Sequence, residues 1–442
     1  MKHTENAAVP VFLLEEKCKG ACMILFLPFL ILGFVYLLNR RQLKENYYVL
    51  NPVSVNVFIW GFVLAVHTFY FPYGEYTLKT YGLILSGIMF MAVGFWIFCR
   101  KRIILGKHGY KSARYIYREK GLLWTLRFLL CIETVRVIYS IYIIVYRLAG
   151  SWDVFFSSNT YVRNLYLSYN GGTLANIFEF FCNTNAFTGY VLVGIFFAKR
   201  YKHARGIFFA WSVLEMIYAL ITMSKMCFIV YIIVVSVTYL NNLGSLQKQR
   251  KIIKKYFPVV AVGILFFLMA IGIQRNYMAN GELLLSTVLR KAAIYLAGPT
   301  EALGRYISQY KSEYTMGSGT LKIFFRILSR LGISHDLSVL AHGKNIDIGY
   351  ESINVYTWFQ VFYQDFSYMG IVVIPMILGC VAGIFYSQSD DSLIANVWNS
   401  WITAVFAMSF YTFMWGQTIY LFTLFYAYLF HIALHKTLYQ VK

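Results

Sequence analysis

The chain has 442 residues, 59% of them hydrophobic and only 13% charged, with a mean hydropathy of +0.57. A soluble globular domain is about a quarter charged, so a soluble core is excluded and lipid is the solvent for much of this chain. The net charge of +21 does not mark a nucleic-acid binder, because the basic residues fall in short blocks between apolar runs, the pattern of the positive-inside rule.

The apolar runs predict an all-α polytopic membrane protein, one domain over 1–442 with about 11 transmembrane helices. The first run, from about Cys22 to Leu38, ends at Arg40 and Arg41 and not at a small-residue cleavage site. It therefore reads as a span and not as a cleaved signal. Further spans are predicted near 53–71, 80–99, 122–146, 174–198, 206–222, 226–242 and 256–274. The seven cysteines lie in or at the edges of these apolar stretches, which predicts no disulfide framework.

Charged and amide side chains interrupt the middle spans. Arg127, Glu133 and Arg136 fall in the fourth, and Glu133 and Arg136 stand three apart, so they can pair. Asn176, Glu179 and Asn183 share one face of the fifth, and Lys225 caps a tight turn between the sixth and seventh. Such groups normally face protein or a water-filled cavity, and helix–helix hydrogen bonding accounts for them without a site. His67 reads as packed.

After the eighth span comes a segment, 276–351, predicted to lie outside the membrane and to contain short helices. Long irregular connections in compact proteins usually serve function. Arg275, Arg290 and Arg305 stand there among apolar and aromatic residues. Arginine suits a phosphate or pyrophosphate, since its planar fork pairs bidentately and stays charged. The alternative is snorkelling to lipid headgroups. Gly298-Pro299 reads as a helix break with Pro opening a new helix. Two readings stand for it: the free N–H groups hold an anion, or Glu301 complements the helix end and pairs with Arg305. Arg163, in the shorter loop near 147–173, is a further cation candidate, and His335 and His342 are the histidines of the long segment.

The segment closes on Asn354-Val355-Tyr356-Thr357, then Tyr363-Gln364-Asp365-Phe366, then Gly370 opening an apolar run. These motifs, with Tyr295-x-x-Gly298-Pro299 and Arg275 just beyond a span, resemble the bacterial oligosaccharide repeat-unit polymerases, the O-antigen polymerases of the Wzy type. The layout of ten or more helices with one long late external loop is similar too. The residues that carry the resemblance lie between about 275 and 370. The family commonly has Gly after the Asp-Phe pair, where this chain has Ser367. Related ligases often place His before the corresponding Asn, where Ile353 stands, so a ligase-type base is not carried over. Final spans are predicted near 368–386, 397–414 and 416–434.

Loop charge orients the chain. Eight Lys or Arg lie in 100–120, four in 199–205 and five in 248–255, and with 11 spans all three blocks fall on the cytoplasmic face.

The resemblance implies a reaction at the outer face of a bacterial cytoplasmic (inner) membrane. A sugar hydroxyl of one undecaprenyl-pyrophosphate-linked repeat unit attacks the anomeric carbon of another and expels the lipid pyrophosphate. It implies Arg275, Arg290, Arg305 and Arg163 with Gly298 for the pyrophosphate, and Asn354, Tyr356 and Tyr295 for the sugar. Asp365, Glu351 or His335 would be the base. Membrane lipids and a chain-length regulator are the further partners implied. No Asp-x-Asp pair appears outside, although Asp153 is a lone external carboxylate, and neither a metal nor a cofactor is expected. Rivals are a lipid-linked oligosaccharide flippase or transporter, a sibling ligase-like glycosyltransferase, and a membrane acyltransferase, which would want a catalytic His on the proper face.

Overall fold

The computed structural model describes residues 19–43, 50–71, 75–99, 115–169, 171–243, 245–256, 285–310, 312, 314, 315, 317–333, 345–349, 352–353, 356–389, 393–411, 425, 428, 429, 432 and 439–441. The predicted spans near 256–274 and 416–434 lie largely outside these residues. So do four candidate site residues: Arg275, His335, Glu351 and Asn354.

In chain order the elements begin with α1 (Lys19–Leu43), α2 (Pro52–Tyr70), α3 (Glu75–Cys99), β1 (Tyr115–Tyr117) and α4 (Glu119–Ile141). Without a break α4 runs into a π-helix, Tyr142–Ala149, which is followed by α5 (Trp152–Ser157), α6 (Asn159–Ser168), α7 (Gly172–Ala198), α8 (Ala204–Ile221) and α9 (Lys225–Asn241). Then come α10 (246–256), α11 (Leu285–Gln309), α12 (Lys322–Arg330), β2 (Ile346–Asp347), β3 (Ser352–Ile353), α13 (Trp358–Gln388), α14 (Leu393–Ala407) and β4 (Tyr439–Val441). Among the described residues, six helical segments are long and apolar enough to cross a membrane: Pro52–Tyr70, Tyr76–Cys99, Glu119–Ala149, Gly172–Ala198, Ala204–Ile221 and Trp358–Gln388. The chain is a multi-pass helical membrane protein.

Local chemistry sets the helix ends. Asn51 caps α2 by accepting from the Ser54 N–H at 2.9 Å, with Pro52 at the first helical position. Asn39 of α1 donates to Asn51 at 2.9 Å and accepts from the Trp96 indole at 3.0 Å. This buried knot ties α1, α2 and α3 together at one end. Strands β1 and β4 pair antiparallel, Tyr115 opposite Val441, and the Lys202 N–H donates to Glu119 at 3.0 Å. Two of the basic loops and the C-terminus therefore gather at the end where α4 starts.

The tightest helix pair is α3 with α13, and glycine makes it. A Cβ on Gly379 would meet the Met91 carbonyl oxygen at 2.0 Å, one on Gly94 that of Met376 at 2.1 Å, and one on Gly383 that of Phe95 at 2.5 Å. Gly379 and Gly383 are four apart, the small-residue spacing that lets helix backbones touch where the hydrophobic effect cannot drive association. The pairing order shows that α3 and α13 run parallel.

Two sequence expectations need correcting. The break predicted at Gly298-Pro299 does not occur: α11 is continuous from Leu285 to Gln309 with Pro299 inside it, so no free helix start exists there to hold an anion. Tertiary packing on α2 and α3 buries this stretch and outweighs the lost N–H. The span predicted near 368–386 is the long arm of α13, and a short helical arm from Trp358 precedes it, the two meeting at a sharp turn at Ser367 (φ 56°, ψ −147°). The short arm folds back so closely that a Cβ on Gly370 would meet the Phe362 carbonyl at 2.1 Å. Its first turn reaches midway along α2 and α3, with the Phe359 ring 5.6 Å from that of Trp60 and pressed against Gly87. There the Trp358 N–H donates to Ser409 beyond the end of α14, and Ser409 also takes the Trp60 indole. The run predicted as 397–414 is accordingly helical only to Ala407, with a turn over 408–411.

Candidate functional site

The site is built where α11 lies across α2 and α3. Glu301 of α11 is fully buried. Its carboxylate accepts from His67 Nε2 at 3.1 Å, from the Tyr76 hydroxyl at 2.5 Å and from Arg305 Nε at 2.7 Å. Because an ionised carboxylate only accepts, Nε2 of His67 must carry its proton. The other ring nitrogen bonds Tyr81 at 2.9 Å, and the imidazole stacks on Phe71 at 5.1 Å. Burial pushes the Glu301 carboxyl up, but the three donors outweigh it and hold the group below its ordinary value. Glu301 is an anion, and it belongs to Arg305.

Arg305 lies one turn along α11 from Glu301, with its side chain 24% exposed. Its Nη1 donates to the Asp347 carbonyl at 2.8 Å. Gly349, with φ +88°, carries the loop past Nη2, and a Cβ there would stand 3.6 Å from that nitrogen. Two of the five guanidinium N–H groups are thus used, and the Tyr76 hydroxyl also faces the guanidinium. Burial lowers the arginine's affinity for its proton and Glu301 more than restores it. The outcome is a permanently charged fork, aimed by a buried carboxylate, with one edge open.

Aromatic rings form the adjoining wall. Tyr306 meets Tyr356 edge-on at 5.5 Å and Tyr363 at 6.4 Å, and Tyr310 lies 5.2 Å from Tyr306. Tyr356 is buried, which raises its hydroxyl well above the ordinary value. Gly298 serves packing: a Cβ there would meet Ile348 at 3.3 Å and Ile353 at 3.4 Å, so its absence lets the β2–β3 hairpin rest on α11. Tyr295 is half-buried on α11, and Arg290 is exposed on the same helix.

Asp365 stands where the short arm of α13 ends. It accepts from the hydroxyl of Thr315, from the Gly319 N–H at 3.2 Å, and from the N–H and hydroxyl of Thr320 at 2.7 and 2.5 Å. With four donors and 1% exposure, this carboxylate is placed to anchor the 315–320 loop. Arg163 sits half-buried on α6, which packs on the π-helix, in a different cluster from α11. The structure therefore brings Arg305, Tyr356 and Gly298 together and leaves Arg163 elsewhere.

Inside the spans, Arg136 donates to Glu133 at 2.6 Å, to Glu215 at 2.6 Å and to Asn183 at 2.8 Å, and its guanidinium lies 3.8 Å from the centre of the Tyr218 ring. The predicted Glu133–Arg136 pair exists, and Glu215 of α8 completes it. Arg127 departs from expectation: it is exposed on α4, with Trp124 as its ring partner at 5.9 Å.

Sequence reasoning read His67 as packed, which it is, without its Glu301 partner, and passed over Tyr76 and Glu215. His67 and Glu215 are single polar residues in apolar runs, Tyr76 stands just before one, and only a partner from a distant helix gives each its meaning. No family model, curated protein or solved structure matches the chain.

Proposed function

We propose that the protein polymerises undecaprenyl-pyrophosphate-linked oligosaccharide repeat units at the outer face of a bacterial cytoplasmic membrane. In this reading the chain has 11 spans, with 276–351 outside, and a chain-length regulator is a natural partner. The sequence resemblance across 275–370 supplies the reaction. The observation that carries the reading is the Arg305 fork, fixed by buried Glu301 and half open beside a wall of tyrosines.

The chemistry asks for little more. The donor already bears its leaving group, so the main demand is to stabilise growing charge on a pyrophosphate. A pre-aimed guanidinium does this without reorganising. Tyr310, which is partly exposed, offers a ring and hydroxyl to sugar, and buried Tyr306, Tyr356 and Tyr363 pack behind it. Glu301 acts as a positioning residue, since it has no exposed surface from which to take a substrate proton. Arg275, Asn354, Glu351 and His335 remain partners for this centre by sequence.

The test is a purified preparation given only a lipid-linked repeat unit. It should build a ladder of longer lipid-linked glycans without nucleotide sugar or ATP. A single product size after long incubation rejects the reading. A second reading, a lipid-linked oligosaccharide transporter, draws on the Glu133–Arg136–Glu215 cluster inside the spans, because intramembrane ionisable groups often line translocation paths. It predicts movement of the substrate between leaflets with its size unchanged.

A further inference from the structure

A cavity of about 200 Å³ lies between the end of α4, the π-helix, α6 and the first turns of α7, apart from the Arg305 centre. Tyr139, Tyr166 and Tyr169 supply aromatic walls, and Ser140, Asn176 and Glu179 supply polar groups. The Tyr166 hydroxyl donates to one Glu179 oxygen at 3.1 Å. No described residue donates to the other oxygen, and no described cation pairs with Glu179. A carboxylate in an apolar bundle without a directly paired cation, facing a cavity, is costly unless a ligand or water meets it.

The walls are held in place from outside the cavity. Arg147 donates to the Tyr169 hydroxyl at 2.6 Å and sits 5.3 Å from the centre of its ring. Ser140 donates to the Arg136 carbonyl at 2.9 Å, and Asn183, one turn along α7 from Glu179, accepts from Arg136 at 2.8 Å. The π-helix, a form concentrated at functional sites, starts at Tyr142 and supplies Ile143 to this wall.

Elimination narrows the ligand. One carboxylate is too few for a metal, which takes several oxygen or nitrogen donors. A phosphate would be repelled by Glu179. Three tyrosines and a carboxylate could cage an ammonium group, but the Arg147 charge on Tyr169 works against a cation. A lipid tail does not suit the polar lining. What remains is a neutral polyhydroxyl ring, whose hydroxyls donate to a carboxylate and an amide while its C–H face lies on aromatic rings. The volume is below that of drug-sized sites, so it admits one ring and not a whole repeat unit.

We propose that this cavity binds a single sugar ring, with Glu179 accepting from its hydroxyls and Tyr139 forming an apolar wall. Its role as a subsite for a non-reacting sugar of the substrate rests on the polymerase reading; the binding chemistry does not.

Saturation-transfer NMR on the full-length protein in detergent tests this. The probes are free glucose, galactose, mannose and N-acetylglucosamine, with choline as a cationic control. At least one sugar should receive saturation, and Glu179→Ala and Tyr139→Ala should each weaken its binding by about tenfold, the worth of one charge-assisted hydrogen bond or one ring contact. Glu179→Gln should keep part of it; if Glu179→Ala does not fold, Tyr139→Ala and Glu179→Gln carry the test. The proposal is overturned if no sugar receives saturation, if transfer is unchanged in the variants, or if choline alone receives it. Sugar binding without a glycan ladder removes the polymerase reading and leaves the cavity; a ladder without sugar binding does the reverse.

Discussion

Nε of Arg305 lies 2.7 Å from Oε1 of Glu301, one exposed at its edge and the other fully buried. The pair orients a cation that faces outward. If the proposed polymerisation is the activity, Arg305→Ala should cut it by roughly 30-fold or more, since losing one member of a buried charged pair costs about 2–5 kcal/mol. Arg305→Lys should rescue only part, because a point charge replaces a fork. Glu301→Gln should also lower turnover while leaving Arg305 charged. Product ladders from expression-matched preparations give the comparison, and near-normal ladders from both Arg305→Ala and Glu301→Gln place the pyrophosphate elsewhere.

Glu301 also sets an acid limit. Its carboxyl is held below the ordinary 4.5 by His67, Tyr76 and Arg305, against the upward push of burial. A group with a depressed folded-state value contributes stability that is complete above the unfolded value and is lost as pH falls through the folded one. Thermal midpoints in detergent should therefore drop more steeply below about pH 4.5 in the wild type than in Glu301→Gln. Parallel acid limbs for the two proteins would show that the depressed value has no thermodynamic consequence.

Ser367 sits at φ 56° and ψ −147°, a region natural to glycine and costly, by about 1–3 kcal/mol, for other residues. Ser367→Gly should raise stability by about 1 kcal/mol, seen as a higher Tm. The resembling family commonly carries Gly at this place, and the backbone now supplies a reason.

Gly379 presses on the Met91 carbonyl, whereas nothing lies within 4 Å of a Cβ on Gly82. Gly379→Ala should sharply reduce folded yield, because the atom it meets is backbone and α3 must move away from α13. Gly82→Ala should be neutral or mildly stabilising, as Ala exceeds Gly in helix propensity. Size-exclusion profiles and Tm values separate the two outcomes.

Arg136 holds two buried carboxylates. Arg136→Ala should cost about 3–5 kcal/mol, since it leaves Glu133 and Glu215 without their cation. Adding Glu133→Gln and Glu215→Gln to that variant should recover part of the loss. If the triple variant is no more stable than Arg136→Ala, lost packing and not charge explains the effect.

The membrane class and most helix positions were legible in the amino-acid sequence. Hydropathy over some twenty residues decides whether a segment can leave water, and that property is local. The runs near 53–71, 174–198 and 206–222 match α2, α7 and α8 within a few residues. The Glu133–Arg136 pair was legible for the same reason, being one helical turn wide. The local signal failed at Gly298-Pro299, where packing on α2 and α3 carries a helix through a proline. It gave the span near 368–386 but not the short arm Trp358–Phe366 that folds back before it. Tertiary structure alone decided the polar partners. His67 and Glu301 are 234 residues apart and Arg136 and Glu215 are 79 apart. An apolar helix offers no local cue to its neighbour, but a buried charge must be met by whichever helix can reach it.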